Sequence, residues 1–364
     1  MTDQPTNGYF AVIGTYTHGA SEGIYVCEMD PKSGNLSNVS SVGGVKNPTF
    51  IAIHPTNSYL YAISEVIELS DPRAGHVVAY AINRGTGQLT KINETSSVGS
   101  GPCHISVDQT GKFALVANFQ SGSVAVIPIN NDGAVGEATD FVQHVGSSVN
   151  PERQTGPHAH SINLDPGNCH AVVADLGLDQ VIIYRFDPIR GTLSANDPFV
   201  YKSAAGAGPR HFDFHPNGRY AYLINEIGNT LTGFNYVSET GALETIGTKS
   251  TLPDDFTGTS HTADIHVSPS GKYVYGSNRG HDSIIIFEIN QSDGSFRLVD
   301  VESTLGRVPR NFAIDPSGSF LYAANQDTSD IFTFRINPIN GRLKPTGNVV
   351  HVPNPVCIKF VPKM

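Results

Sequence analysis

The sequence predicts an all-β fold, a seven-bladed β-propeller of four-stranded antiparallel blades, and three observations carry that prediction. A short phrase of polar residues, a glycine and an apolar residue recurs seven times, with its glycines at Gly34, Gly87, Gly133, Gly191, Gly241, Gly294 and Gly341. The spacings are 53, 46, 58, 50, 53 and 47 residues, long enough for several strands per unit, which is the mark of radial repetition. The composition is that of a turn-rich β protein: 37 Gly and 23 Pro in 364 residues, 39% hydrophobic and only 15% charged. Apolar residues at helical spacing are sustained nowhere. Finally, the two ends of the chain are complementary. Tyr9–Gly14 already reads as the second strand of a blade, and Asn354–Val361 reads as a first strand with no blade of its own. Pairing them completes the N-terminal blade, removes a free sheet edge and locks the ring. The period spans nearly the whole chain, so residues 1–364 are expected to form one domain.

Each unit divides into strands a to d. Blade one begins at its strand b, Tyr9–Gly14, followed by strand c at Gly23–Cys27. Blades two, three and four show the a–b turns His54–Asn57, Asp108–Gly111 and Asp165–Gly167, and strands c at His76–Tyr80, Ser123–Ile127 and Gln180–Tyr184. Blade five reads in full: Arg210–His215, Tyr220–Asn225, Thr230–Tyr236 and Leu243–Lys249. Blades six and seven repeat the turn at Ser268–Gly271 and Asp315–Gly318, with strands c at Ser283–Phe287 and Asp330–Phe334. Aromatic and β-branched residues dominate these runs. Proline presets φ in the turns, while Gly or Asn accepts positive φ.

A formal net charge of −10 with no Lys/Arg block argues against a nucleic-acid surface. No apolar run approaches the ~18 residues of a membrane span. Cys27, Cys103, Cys169 and Cys357 are scattered without metal-type spacing and read as free thiols of a reducing compartment. The N-terminus has neither a basic segment nor an apolar run. A cytoplasmic protein, monomeric or weakly homo-oligomeric, is expected.

In such a blade the a–b and c–d turns share one face, and the b–c and d–a connections share the other. The first class is short throughout. The second holds the long segments Val66–Gly75, Gly146–Gly156 and Pro253–Ser260, and long loops on one face of a rigid scaffold are the usual walls of a binding site. Aligning the units on the a–b turn gives two columns at that rim. Thr49, Cys103, His160, Arg210, Ala263 and Arg310 start the strands a, and Glu65, Phe119, Asp175, Glu226, Arg279 and Gln326 end the strands b. A structural column repeats one residue type, as the neighbouring column Ser64, Asn118, Ala174, Asn225, Asn278 and Asn325 largely does. These two vary and are rich in charge and His, as a shared site on the axis requires.

Within the columns, His160 is a candidate general base or hydrogen-bond donor, with His158 two residues earlier on the same face. Arg210, Arg279 and Arg310 converge from three consecutive blades and suit an anionic substrate, since guanidinium binds carboxylate or phosphate through its fork. Their alternative role is in rim ion pairs with Glu226, Asp175 or Asp264. Glu226 is either a base or the counter-ion that fixes an arginine. Asp264 is expected to face the axis, and His266 to be a buried hydrogen-bonded His. A metal held by His104, His158 and His160 is the weaker reading, because no carboxylate or further His follows at ligand spacing. There is no Gly-x-Ser-x-Gly elbow, no Walker loop and no dinucleotide fingerprint.

Taken together, these residues resemble the propeller-type 6-phosphogluconolactonase family, relatives of the fungal carboxy-cis,cis-muconate cyclase. The matching segments are Gly14–Thr17, Asn47–Ala52, His158–His160, Gly208–His211, Asn225–Glu226, Ala263–His266, Ser277–Gly280 and Pro309–Arg310. The resemblance implies a cytosolic, cofactor-free enzyme acting on a lactone ring. It places His160, Arg210 and Glu226 where the cyclase's proposed site has its His, Arg and Glu, and Arg279 where the lactonases carry a further Arg. Substrate contacts are then expected from Arg279, Arg310, His158, His104 and Asp264. The expected activity is hydrolysis of 6-phospho-D-glucono-1,5-lactone, a step of the pentose phosphate pathway. A muconate-type cycloisomerase and a non-catalytic propeller scaffold are the alternatives.

Overall fold

The computed structural model describes residues 8–67, 71 and 74–364; the middle of the expected wall Val66–Gly75 lies outside them. Seven four-stranded antiparallel sheets make up the described chain, and the inner strands of successive sheets touch one another all the way round. Those inner strands, a of blades two to seven, are Ile51–Ile53, Pro102–Val107, Ala159–Leu164, Pro209–Phe214, His261–Val267 and Pro309–Ile314. Blade one takes its inner strand from the far end of the chain. Pro355–Pro362 pairs antiparallel with Tyr9–Thr15, from Tyr9 opposite Pro362 to Thr15 opposite Pro355.

The apolar core lies between the blades. Tyr222 and Ile224 of blade five pack on Ile265 and Ile285 of blade six, and the same kind of cluster joins Ala11 and Ile13 to Tyr322 and Ile331 across the closing joint. The repeated glycine that sets the period is part of this joint. All seven have positive φ, between 65° and 84°, and at each a Cβ would come within 3.0 Å of a side chain at the start of the preceding blade's strand b. Gly294 faces Tyr220 in this way, Gly341 faces Tyr273, and Gly34 faces Phe320 to close the circle. The tyrosine two residues along then donates its hydroxyl to the glycine carbonyl: Tyr222 to Gly294 at 2.9 Å, Tyr275 to Gly341 at 2.9 Å, Tyr322 to Gly34 at 3.0 Å. Only glycine allows both the backbone turn and the close approach.

Candidate active site

The rim positions owe their direction to a repeated irregularity. At the start of five inner strands one residue drops out of register with strand b. These residues are Cys103, His160, Arg210 and Arg310, and Val356 in the closing strand. In blade six the register skips from Thr262 to Ile265. A bulge adds a residue that the ladder cannot pair, so its side chain is turned out of the pleat, here toward the channel. The chain enters four of these bulges through a left-handed residue before proline: Gly101, Gly208, Val308 and Asn354, with φ of 59°, 67°, 59° and 47°. Val308 pays for this as a β-branched residue, immediately before the Pro309–Arg310 pair.

The bulge residues and the ends of strands b enclose a cavity of about 300 Å³ lined by Glu65, Arg153, His160, Glu226, Arg279 and Arg310, with Phe119 and His261 beside them. Glu226 is its hub. Its Oε1 accepts from Arg153 Nη2 at 2.6 Å, and its Oε2 faces Arg210 Nε at 2.8 Å and Arg279 Nη2 at 2.9 Å. His160 Nε2 stands 4.0 Å from the same Oε2. Arg210, 1% exposed, also donates to the Ala263 carbonyl, and Arg279 to the Thr262 carbonyl at 2.8 Å. Arg310 differs from the other three. Its guanidinium lies over the Tyr16 ring, 5.5 Å from the centroid, and none of the described ion pairs includes it. Tyr16 is held in turn by Glu65, at 3.1 Å from its hydroxyl, and Thr49 donates to the same carboxylate.

The charges shift one another. Burial alone would raise Glu226, but Arg279, Arg210, His160 and Arg153 outweigh it and hold the carboxyl well below its ordinary value. Burial, then Arg210 and His211, hold His160 well below 6.5, so the ring is neutral. Burial, Arg279 and Arg310 lower Arg210 to about 9, still charged at neutral pH. Burial works against the charge of Arg310, but Tyr16, Glu65 and Glu226 raise it on balance. Burial pushes the Cys103 thiol far up, which removes it as a nucleophile.

His160, Arg210, Glu226, Arg279 and Arg310 are thus brought together. His158 is not placed on the same face as His160, because the bulge breaks the two-residue alternation between them. Its ring stacks behind Phe119 at 4.5 Å, with Nδ1 2.9 Å from the Phe119 carbonyl. His104 lies one residue further along its strand, against Phe50 at 4.3 Å between ring centroids, and with Lys359 lines a separate opening that shares no residue with this cavity. Asp264 faces inward but its oxygens are occupied, by His211 Nδ1 at 2.7 Å, His266 Nε2 at 3.0 Å and Asn311 Nδ2. Asp175 is turned into the wall, paired with His144 Nδ1 at 2.6 Å and accepting from the His158 amide at 2.8 Å. No group of three or more His, Cys, Asp or Glu among the described residues is disposed to hold a metal ion. A larger hollow of about 460 Å³ at the outer edge of blade six has only the exposed Glu288–Arg297 pair as charged lining, and nothing converges there.

Sequence reasoning missed Arg153. It is the only arginine of the long d–a segment Gly146–Gly156, and a lone cation in the longest rim insertion was the available signal. It also missed His211, masked by its place beside Arg210 in a column read one residue deep.

Comparison with known proteins places the fold in a family. The profile of the family described as lactonase, seven-bladed β-propeller, matches residues 10–360. The chain is 39% identical over 353 residues to the 6-phosphogluconolactonase of Bacillus subtilis, covering 97% of this chain and 98% of that one. It is 35% identical to the 6-phosphogluconolactonase of Formosa agariphila over 83% and 85% of the two chains. Among solved structures, a candidate 6-phosphogluconolactonase of Bacteroides fragilis superposes with a TM-score of 0.92 at 34% identity, covering 98% of each chain. The periplasmic gluconolactonase of Pseudomonas aeruginosa does so at 0.91 and 31%, covering 97% and 99%. With the profile spanning all seven blades, the chain belongs to the seven-bladed β-propeller lactonases.

Proposed function

We propose that this protein hydrolyses a phosphorylated sugar lactone, 6-phospho-D-glucono-1,5-lactone, to 6-phosphogluconate. The observation that carries this reading is the charge of the channel mouth. Arg153, Arg210, Arg279 and Arg310 stand against Glu65 and Glu226, four positive charges to two negative, in a protein of net charge −10. An excess of two positive charges matches a phosphate monoester, which carries close to two negative charges at neutral pH. The names of the Bacillus and Formosa relatives support the same substrate.

In this reading Arg310, free of a carboxylate, and Arg279 take the phosphate. Arg210, buried and fixed by Glu226, supports the oxyanion as water adds to the lactone carbonyl. One well-placed donor of this kind is worth ~3 kcal/mol of barrier. His160 is neutral and accepts the proton; Glu226, held by three guanidinium groups, is too weak a base and serves to orient them. The proton then passes to the ring oxygen as the C–O bond breaks. The buried Cys27, Cys103 and Cys357 suit a reducing cytoplasm. The test is release of acid from 6-phosphoglucono-1,5-lactone by purified protein, measured against spontaneous hydrolysis. A rate well above background is expected; a rate equal to background overturns the proposal.

A further inference from the structure

Directly beneath the cavity lies a second, very small cell. Thr49, Cys103, His160, Arg210, His211 and Arg310 line it, and it shares Cys103, His160 and Arg310 with the cavity above. It leaves about 10 Å³ for the centre of a water-sized sphere, close to the ~10–15 Å³ that one water needs. One buried polar atom of its lining has no partner among the described residues, His211 Nε2. The His211 side chain is 8% exposed, so bulk solvent does not satisfy that nitrogen.

The tautomer of His211 follows from the opposite side of the ring. Nδ1 faces Asp264 Oδ1 at 2.7 Å. His266 and His211 hold the Asp264 carboxyl well below its ordinary value although burial opposes this, so Asp264 is an acceptor only and Nδ1 carries the proton. Asn311 and His266 hold the carboxylate's other oxygen, and the Ile265 amide donates to Oδ1 at 3.0 Å. Burial and Arg210 lower His211 to about 4, so the ring is neutral and Nε2 presents a lone pair. The His160 ring stands 5.3 Å away, edge to face.

We infer that this cell seats the nucleophilic water of the lactonase reaction, with His211, fixed by Asp264, as the residue that orients it from below. This rests on the lactonase reading. The water gives one hydrogen to His211 Nε2, which turns its second hydrogen toward His160 and a lone pair toward the carbonyl above. As the O–C bond forms, the carbonyl π pair moves to the oxygen beside Arg210 and the second proton goes to His160. When the tetrahedral adduct collapses, the ring C–O bond breaks and His160 returns that proton to the ring oxygen. The products are one hydroxyl and one carboxylic acid, which ionises.

Two measurements on the full chain test this. A high-resolution crystal structure should show one ordered water within hydrogen-bond distance of His211 Nε2. His211→Phe, which keeps the ring packing against His160 and removes the lone pair, should lower kcat by ~100-fold while KM stays within about threefold. A merely structural role would show in melting temperature and KM instead. A folded His211→Phe protein with kcat near that of the wild type overturns the inference, as does a wild-type structure with no water at Nε2; the latter decides if the variant does not fold. A wild type that hydrolyses no lactone overturns the functional reading itself, a different result from an active wild type with an equally active variant.

Discussion

Glu226 and His160 stand 4.0 Å apart, and their surroundings push their proton affinities in a way that separates their tasks. The arginines keep Glu226 ionised with its oxygens occupied, whereas burial leaves His160 neutral at rest and so able to accept a proton. His160→Gln should therefore reduce kcat by ~100-fold or more with little change in KM. Near-normal turnover in that variant, with collapse in Glu226→Gln, would transfer the base role to the carboxylate. The same burial sets an acid limit. His104, His160 and His211 are held below 6.5, chiefly by burial. Below pH 6.5 the unfolded chain binds protons that the folded chain refuses, so stability falls as pH falls through that window. His266, raised because Asp264 outweighs its burial, acts in the opposite sense but is one group against three. Glu226 and Asp264, lowered in the fold, lose their contribution only at still lower pH. Melting temperature should drop by roughly 5 °C or more between pH 7 and pH 5; a flat or rising profile by calorimetry would contradict this.

At the scale of the strand, the two columns were legible because a bulge recurs at the same place in five of the seven blades and so preserves spacing. Arg210, Arg279 and Arg310 could be aligned without knowing that a bulge existed. What it does to neighbours was not legible. It puts His158 and His160 on different sides of the wall, and it opens a deeper tier where Asp264, His211 and Asn311 bond to one another. Arg153 gave a weaker signal for another reason: it stands in a d–a connection longer than its counterparts, so alignment on the a–b turn does not locate it. The glycine phrase was legible as a period but not as an interface. Gly294, at φ 71° with a Cβ that would meet Tyr220 Cδ1 at 2.5 Å, is a direct test. Gly294→Ala should cost roughly 2–4 kcal/mol, read from the urea midpoint. Gly247→Ala, where a Cβ meets nothing within 4 Å, should cost under about 1 kcal/mol.

For the whole molecule, the complementary ends were the most reliable signal, because a strand without a blade and a blade without a strand admit one economical solution. Pro355–Pro362 occupies it, with Val356, Cys357, Ile358 and Val361 buried. Deleting the residues after Val352 removes those side chains and leaves Tyr9–Thr15 as an inner edge. At ~1.5–3 kcal/mol for each buried side chain the loss is about 6 kcal/mol or more, comparable with the total stability of a domain. The truncated chain should lose cooperative melting or melt far below the full chain; an unchanged transition would show that the ring closes without it.

In the proposed function, this ring gathers an excess of positive charge at one mouth in order to hold an anionic lactone. The most direct measurement is kcat/KM for 6-phosphoglucono-1,5-lactone and for unphosphorylated glucono-1,5-lactone, on the wild type and on Arg310→Met. The wild type should prefer the phosphorylated ring by ~100-fold, equivalent to about 3 kcal/mol for a charge-assisted contact, and Arg310→Met should lose most of that preference, its kcat/KM falling far more for the phosphorylated lactone than for the unphosphorylated one. Equal kcat/KM for the two lactones in the wild type, or a preference that survives Arg310→Met unchanged, would contradict an anion-binding role for this mouth.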